Sequence, residues 1–326
     1  MRAIVMEGFG GAEVLQPADL PKPQPGPGEV LIEIAYAGIN PADWKAREGK
    51  LSRYFEYQFP FVLGFDLAGT VATLGPGTEG LAVGDRVFGM SKQGQGERGA
   101  YAEYCRAWPA MLARIPDGIS PAEAAGLPVP GVTAYGGLVD AGELKAGQAV
   151  LINGGAGGVG SLAVQIAKTL GARVAATCSA RNADYVRGLG AEKVIDYTSE
   201  DVVAAVRDWT PDGVDLVLDA VGLDTLLPRA TDLVKPGGSF VEIETLISQA
   251  SEAEVAAAAA KGVRIVSNMI AVMRQPEHLA GLARLVAEGS VRPAPTEVVP
   301  LAEVAEAHRR IEGGHVRGKI VLQVND

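Results

Sequence analysis

Cysteine is nearly absent from this chain: its 326 residues include two, Cys105 and Cys178. Two thiols so far apart offer neither a disulfide framework nor a CxxC metal pair, so both read as reduced packing residues and no structural zinc site is expected. Positive charge is scarce as well. Lys and Arg number 29 against 39 Asp and Glu, a formal net charge of -10. The isoelectric point near 5.0 argues against a nucleic-acid partner, because phosphate backbones select clustered Lys and Arg. Long hydrophobic runs are also missing, since no stretch reaches the roughly 20 apolar residues a membrane helix needs. Met1 to Gly10 lacks the basic region and apolar core of a signal peptide, so the expected compartment is the cytoplasm, with no membrane partner. What is present is 48% hydrophobic and 21% charged, an ordinary globular composition long enough for two domains.

From Met1 to about Pro116 the pattern is β-rich. The runs "AIVM", "EVLIEIAYAGI", "LAGTVATLG" and "GDRVFGM" alternate or cluster apolar residues between Gly and Pro. At Ser120 the grammar changes: "SPAEAAGL" joins an N-cap Ser, a Pro at the first helical position and Glu three residues after the cap. From about Gly147 apolar runs alternate with amphipathic helices through "GSFVEI", which predicts a parallel sheet with crossover helices. Beyond it come a capped helix "SEAEVAAAAAKG", a strand "VRIVSNMI", the helices "EHLAGLARLVAEGSV" and "LAEVAEAHRRIEGG", and a last strand "GKIVLQV".

"VLINGGAGGVGSLAVQIAK" carries the clearest chemical signal. Gly155, Gly157 and Gly160 fit GxGxxG after an apolar strand and before a helix, where glycines permit a tight turn, close approach to a pyrophosphate and helix-to-strand packing. The helix N-terminus adds unpaired N–H groups and positive potential, so Gly155, Ala156, Gly157, Gly158, Val159 and Gly160 form the candidate cradle. A ligand-free glycine turn is the alternative, and a P-loop is excluded because no GK[ST] ends the run. An NAD site usually offers Asp or Glu about 20 residues further on. Here "RVAATC" is followed by Ser179, Ala180, Arg181 and Asn182, with no acid before Asp184. Nothing there repels a 2′-phosphate and Arg181 can meet one with paired donors, so NADPH is the expected cofactor.

Together "PGPGEVLIEIAYAGINPAD", "LGFDLAGTVATLGPG", "VGDRVFG", "GAYAEY", "GVTAYGGL", the glycine stretch, "LGAEKVIDY", "LVKPGG" and "RGKIVLQV" cover nearly the whole chain. They resemble the zinc-independent medium-chain dehydrogenase/reductase superfamily, specifically its ζ-crystallin-like quinone oxidoreductase group. The resemblance implies an α/β chain: a GroES-like β-domain from residues 1–122 and 271–326, and a doubly wound Rossmann domain from residues 123–270. The active site would lie in the cleft between them.

Zinc-dependent members of the superfamily carry Cys where this chain has Asn40, and His where it has Phe65. Catalytic zinc needs three protein ligands, and His278, His308 and His315 lie outside the matching motifs, so no metal is expected. Without a Lewis acid, the simplest chemistry is hydride delivery from NADPH to an acceptor activated by conjugation, a quinone or an α,β-unsaturated carbonyl. Family matching places Asn40 beside the substrate, where it could donate to a carbonyl or serve as a turn residue, and Thr133 near the carboxamide. Tyr54, or Tyr57 in its place, would line the cleft or pack, and Asp43 would accept from local backbone. Tyr197 matches a position near the adenosine phosphate, Val221 and Gly222 positions near the nicotinamide ribose, and Lys319 a basic position near the pyrophosphate. Glu244 would be a departure near the nicotinamide.

Two alternatives stand beside the quinone or enone reductase: an enoyl-thioester reductase, and an NADPH-binding structural or regulatory protein without turnover. Relatives often pair edge strands of their dinucleotide domains, which makes "VRIVSNMI" the expected homodimer edge.

Overall fold

The nine residues Val30–Gly38 pair along much of their length with three other strands and organise the first of two units. The computed structural model describes every residue except Gly96, residues 244–248, His315 and Asp326, so the readings of Glu244 and His315 lie outside the described residues. The first unit takes Met1–Pro130 and Pro293–Asp326. Its sheet runs in the order Thr296–Pro300, Lys319–Gln323, Val30–Gly38, Asp66–Leu74, Arg86–Met90 and Leu112–Arg114, with Tyr104–Ala107 also on Val30–Gly38. Lys319–Gln323 returns from the far end of the sequence, setting Val321 opposite Gly38. Where Val30–Gly38 ends, Pro41 starts the helix Pro41–Arg47, and the Asp43 carboxylate reaches back 2.8 Å to the Asn40 N–H. Ser120 forms the capping box expected of it, with Glu123 Oε2 accepting its N–H at 2.9 Å.

The second unit, Gly131–Arg292, holds a six-stranded parallel sheet. Its order is Lys193–Asp196, Arg173–Cys178, Ala149–Asn153, Val214–Asp219, Val234–Glu242, Arg264–Ser267. In chain order this is 3-2-1-4-5-6, the doubly wound arrangement whose ligands sit beyond the carboxyl ends of the strands. Leu151, Ala175, Val217 and Phe240 are fully buried in one of its cores, as strands covered on both faces require.

Three local readings need correction. "LLPRATDLV" is not one helix but Leu223–Leu226, a 3-10 turn Leu227–Arg229 and Ala230–Leu233, because Pro228 lacks the N–H that a continuous helix needs. "VRIVSNMI" keeps only Arg264–Ser267 as strand; buried Asn268 then turns the chain, its Nδ2 donating to Thr133 O at 2.9 Å. The units also divide later than residues 122 and 270, after Pro130 and after Arg292. The helix Gln275–Ala287 belongs with the second unit, since Leu282 packs on Gly131 and His278 Nε2 meets Asp140 at 2.7 Å.

Candidate cofactor site and buried polar centre

In the second unit the strand Ala149–Asn153 ends against glycine. Gly154 has φ +83°, so the tight turn falls there and not on Gly155 as the motif suggested. Gly154 N–H donates to Thr177 Oγ1 at 2.9 Å and Gly155 N–H to Thr177 O at 2.8 Å. The remaining glycines have separable reasons. A Cβ on Gly155 would lie 2.9 Å from Ala176 Cβ, and one on Gly160 would lie 2.1 Å from Gly154 O. A Cβ on Gly157 would meet only Gly154 O, at 3.5 Å, so that side of the loop is open. Gly157 caps the helix Gly158–Thr169, whose first-turn N–H groups at Gly158, Val159 and Gly160 have no intrahelical acceptor. An open glycine beside unfilled donors suits a pyrophosphate. Ala156, immediately before Gly157, is buried.

The strand Arg173–Cys178 ends in buried Cys178, followed by Ser179, whose carbonyl accepts from Asn182 N at 2.9 Å. Arg181 is exposed in this turn, and the first acid after it, Asp184, is paired with Arg187 at 2.6 Å. Tyr197 and Val221 are about half exposed, at 53% and 50%. Gly222 adopts φ +150°, and Thr133 is half-buried with its carbonyl held by Asn268.

The first unit gathers a different group. Asn40 is buried, its Nδ2 donating to Asp66 Oδ2 at 2.8 Å and its Oδ1 accepting from Lys319 Nζ at 2.6 Å. Lys319 also donates to Ile39 O at 2.6 Å. Its ammonium is buried, and the carboxylates of Asp66 and Asp43 attract it. Asp66 Oδ1 accepts from Val129 N at 2.8 Å, and Asp43 Oδ1 from Phe65 N at 3.1 Å. Burial, then the charge of Asp66, pushes Asp43 up to about 7 against the pull of its N–H donors and Lys319. Burial pushes Asp66 up to about 6, opposed by Lys319, Asn40 and Val129. Burial lowers Lys319. The cluster continues through Tyr101, hydrogen-bonded to Asp43 and 3.1 Å from His308 Nε2, to Arg47 and Glu312.

Of the two tyrosines, Tyr54 is 40% exposed beside Arg53, away from this cluster. Tyr57 turns its ring edge-on to Phe61 at 4.8 Å, and burial with the charge of Asp43 raises its phenol. Tyr57 Oη is buried with no hydrogen-bond partner among the described residues. Asp66, Tyr101 and His308 in the first unit, and Asn153, Thr177 and Asp219 in the second, were not singled out from sequence. The available signal for Asn153 and Asp219 was a polar residue closing an apolar strand, in "VLIN" and "LVLD".

Comparison with known proteins adds an independent line. Residues 26–117 match the alcohol dehydrogenase GroES-like domain, and residues 189–322 a family described as zinc-binding dehydrogenase. The chain is 34% identical to a chloroplastic NADPH-dependent alkenal/one oxidoreductase of Arabidopsis thaliana, over 99% of this chain and 79% of that protein. Among solved structures it is similar to the quinone oxidoreductase of Coxiella burnetii, at 35% identity and TM-score 0.87, covering 100% of this chain and 99% of that one. It is likewise similar to mycobacterial Rv1454c complexed with NADPH, at 31% identity and TM-score 0.86, covering 99% and 100%.

Proposed function

The chain belongs to the medium-chain dehydrogenase/reductase superfamily, in its quinone oxidoreductase group, and from that premise we propose an NADPH-dependent, metal-free reductase of quinones or α,β-unsaturated carbonyls. The observation that carries the cofactor reading is the pairing of an open Gly157 with an Arg181 turn that has no carboxylate before Asp184. A reduced nicotinamide, when bound, supplies the hydride. Gly157 and the first N–H groups of Gly158–Thr169 would hold the pyrophosphate, Ser179 and Arg181 the 2′-phosphate, and Tyr197 the adenosine side. Val221, Gly222 and Thr133 would bound the nicotinamide side.

The metal-free reading rests on donor chemistry. Phe65 has no side-chain ligand atom, and the Asn40 amide is engaged by Asp66 and Lys319. Asn40 Nδ2 carries a second N–H beyond the one given to Asp66, which would polarise the acceptor oxygen as charge develops on it. Tyr57 replaces Tyr54 as the aromatic nearer this centre.

NADPH and NADH oxidation with quinone and enone panels after chelation tests the whole reading. Preference for NADPH on a chelated enzyme supports it; activity lost on chelation and restored by zinc would overturn the metal-free chemistry. Among the described residues no helix is long and apolar enough to cross a membrane. A cytoplasmic location remains our proposal, and two free, buried cysteines are compatible with such a reducing compartment. A homodimer through Arg264–Ser267 is supported by that strand's place at the edge of the parallel sheet. Sedimentation as a monomer at micromolar concentration would remove it.

A further inference from the structure

Three polar side chains stand where the parallel strands of the second unit end, and the chemistry above uses none of them. Asn153 closes Ala149–Asn153, Thr177 stands one residue before the end of Arg173–Cys178, and Asp219 closes Val214–Asp219. All three are buried, at 5%, 1% and 1% exposure. Asn153 joins the others: its Nδ2 donates to Asp219 Oδ1 at 2.8 Å, and its Oδ1 accepts from Thr177 Oγ1 at 2.6 Å. Each outer member then holds a loop. Thr177 Oγ1 accepts the Gly154 N–H at 2.9 Å, and Asp219 Oδ1 accepts the N–H groups of Val221 and Gly222 at 3.0 and 3.3 Å. Thr225 Oγ1 closes the second loop by donating to Gly222 O at 2.7 Å while accepting from Asn153 Nδ2 at 3.0 Å.

Both loops turn on glycines of positive φ, Gly154 at +83° and Gly222 at +150°. Such turns are soft unless their backbone groups are tied down. The loops also touch, because a Cβ on Gly154 would lie 2.8 Å from Val221 Cγ2. A buried polar network of this kind rigidifies what it holds, and a rigid site loses less freedom when a ligand binds.

We propose that Asn153, Thr177 and Asp219 are positioning residues that couple the pyrophosphate turn at Gly154 to the Val221–Gly222 turn, holding them at one spacing for the dinucleotide. The assignment rests on the NADPH reading and names the groups that set up that site. Thr177 suits its place because one hydroxyl donates to Asn153 while accepting from Gly154. Valine has the same shape and can do neither.

The test uses the full chain and the variants Thr177→Val, Thr177→Ser, Asp219→Asn and the Thr177→Val/Asp219→Asn double. Dissociation constants are measured by calorimetry for NADPH, and for adenosine 2′-monophosphate, which lacks the pyrophosphate and the nicotinamide that the two loops would meet. Thr177→Val and Asp219→Asn should each weaken NADPH about tenfold, and Thr177→Ser should restore it. The double variant should lose less than the product of the two single losses, because the residues act through one network. Adenosine 2′-monophosphate should bind all variants alike. NADPH bound normally by wild type and by Thr177→Val, or losses that multiply, would overturn the coupling while leaving the cofactor reading intact. Equal losses for both ligands would show a general structural role and would also overturn it. A wild type that bound no NADPH would overturn both.

Discussion

Lys319 Nζ lies 2.6 Å from Asn40 Oδ1, joining positions 279 residues apart inside the first unit. The contact fixes the Asn40 amide in one orientation, with its nitrogen end on Asp66. It also leaves two buried carboxylates, Asp43 and Asp66, facing one ammonium.

Lys319→Met should therefore cost more than a surface charge would. Removing one partner of a buried charged group typically destabilises by about 3–5 kcal/mol, since the remaining charge is left uncompensated. Urea denaturation of the variant checks this. A loss below about 1 kcal/mol, the range of exposed pairs, would mean that the ammonium is not tied to the carboxylates in solution.

Asp43, pushed up to about 7, and Asp66, to about 6, bind protons more readily folded than unfolded. Their stabilising contribution is fully present below the usual carboxylate pKa near 4 and is lost as pH rises through about 7. Asp43→Asn should flatten that decline between pH 4 and 7, read from denaturation midpoints across the range. An unchanged profile would contradict the raised Asp43.

His308 titrates in the opposite sense. Burial and Arg47 lower it to about 3, so its neutral form favours the folded state, and that contribution fades as pH falls below the ordinary histidine value near 6.5. The stability penalty of His308→Gln should be larger at pH 7.5 than at pH 4.5. Equal penalties at both would show that packing alone accounts for the residue.

Gly157→Ala and Gly160→Ala separate a ligand-facing glycine from a packing one. At Gly160 the new Cβ would lie 2.1 Å from Gly154 O, so the turn itself must break and folding should suffer. At Gly157 the protein leaves room, and stability should fall by only about 1 kcal/mol or less. Gly157→Ala should nonetheless weaken NADPH about tenfold by standing where backbone approaches the pyrophosphate. Thermal melts with and without NADPH distinguish the two.

Arg181→Ala should weaken NADPH roughly 10- to 100-fold, the range of a lost charge-assisted hydrogen bond, and leave NADH nearly unchanged. Fluorescence titration with both cofactors measures the ratio, and equal losses would remove the role assigned to Arg181.

Local pattern was enough for a parallel sheet with crossover helices, the capping boxes and the glycine turn, because periodicity, caps and glycine sterics act over a few residues. The doubly wound strand order came with the family resemblance and the fold. Local pattern missed by one residue the place where the turn needs positive φ, since Gly154 and Gly155 are chemically alike and differ only in what surrounds them. Lys319 shows the deeper limit. The family resemblance implies a cation near the pyrophosphate, and nothing local in the sequence tells that strand pairing of Val321 with Gly38 carries Lys319 beside Asn40. There it donates to Asn40 Oδ1 and Ile39 O, and two buried carboxylates attract it. Likewise Asn153, Thr177 and Asp219 read as ordinary polar residues until three parallel strands bring their ends within hydrogen-bonding distance. Chain-local chemistry sets which elements form; which polar groups meet in the interior depends on long-range pairing, because a buried donor must find its acceptor wherever the fold puts one.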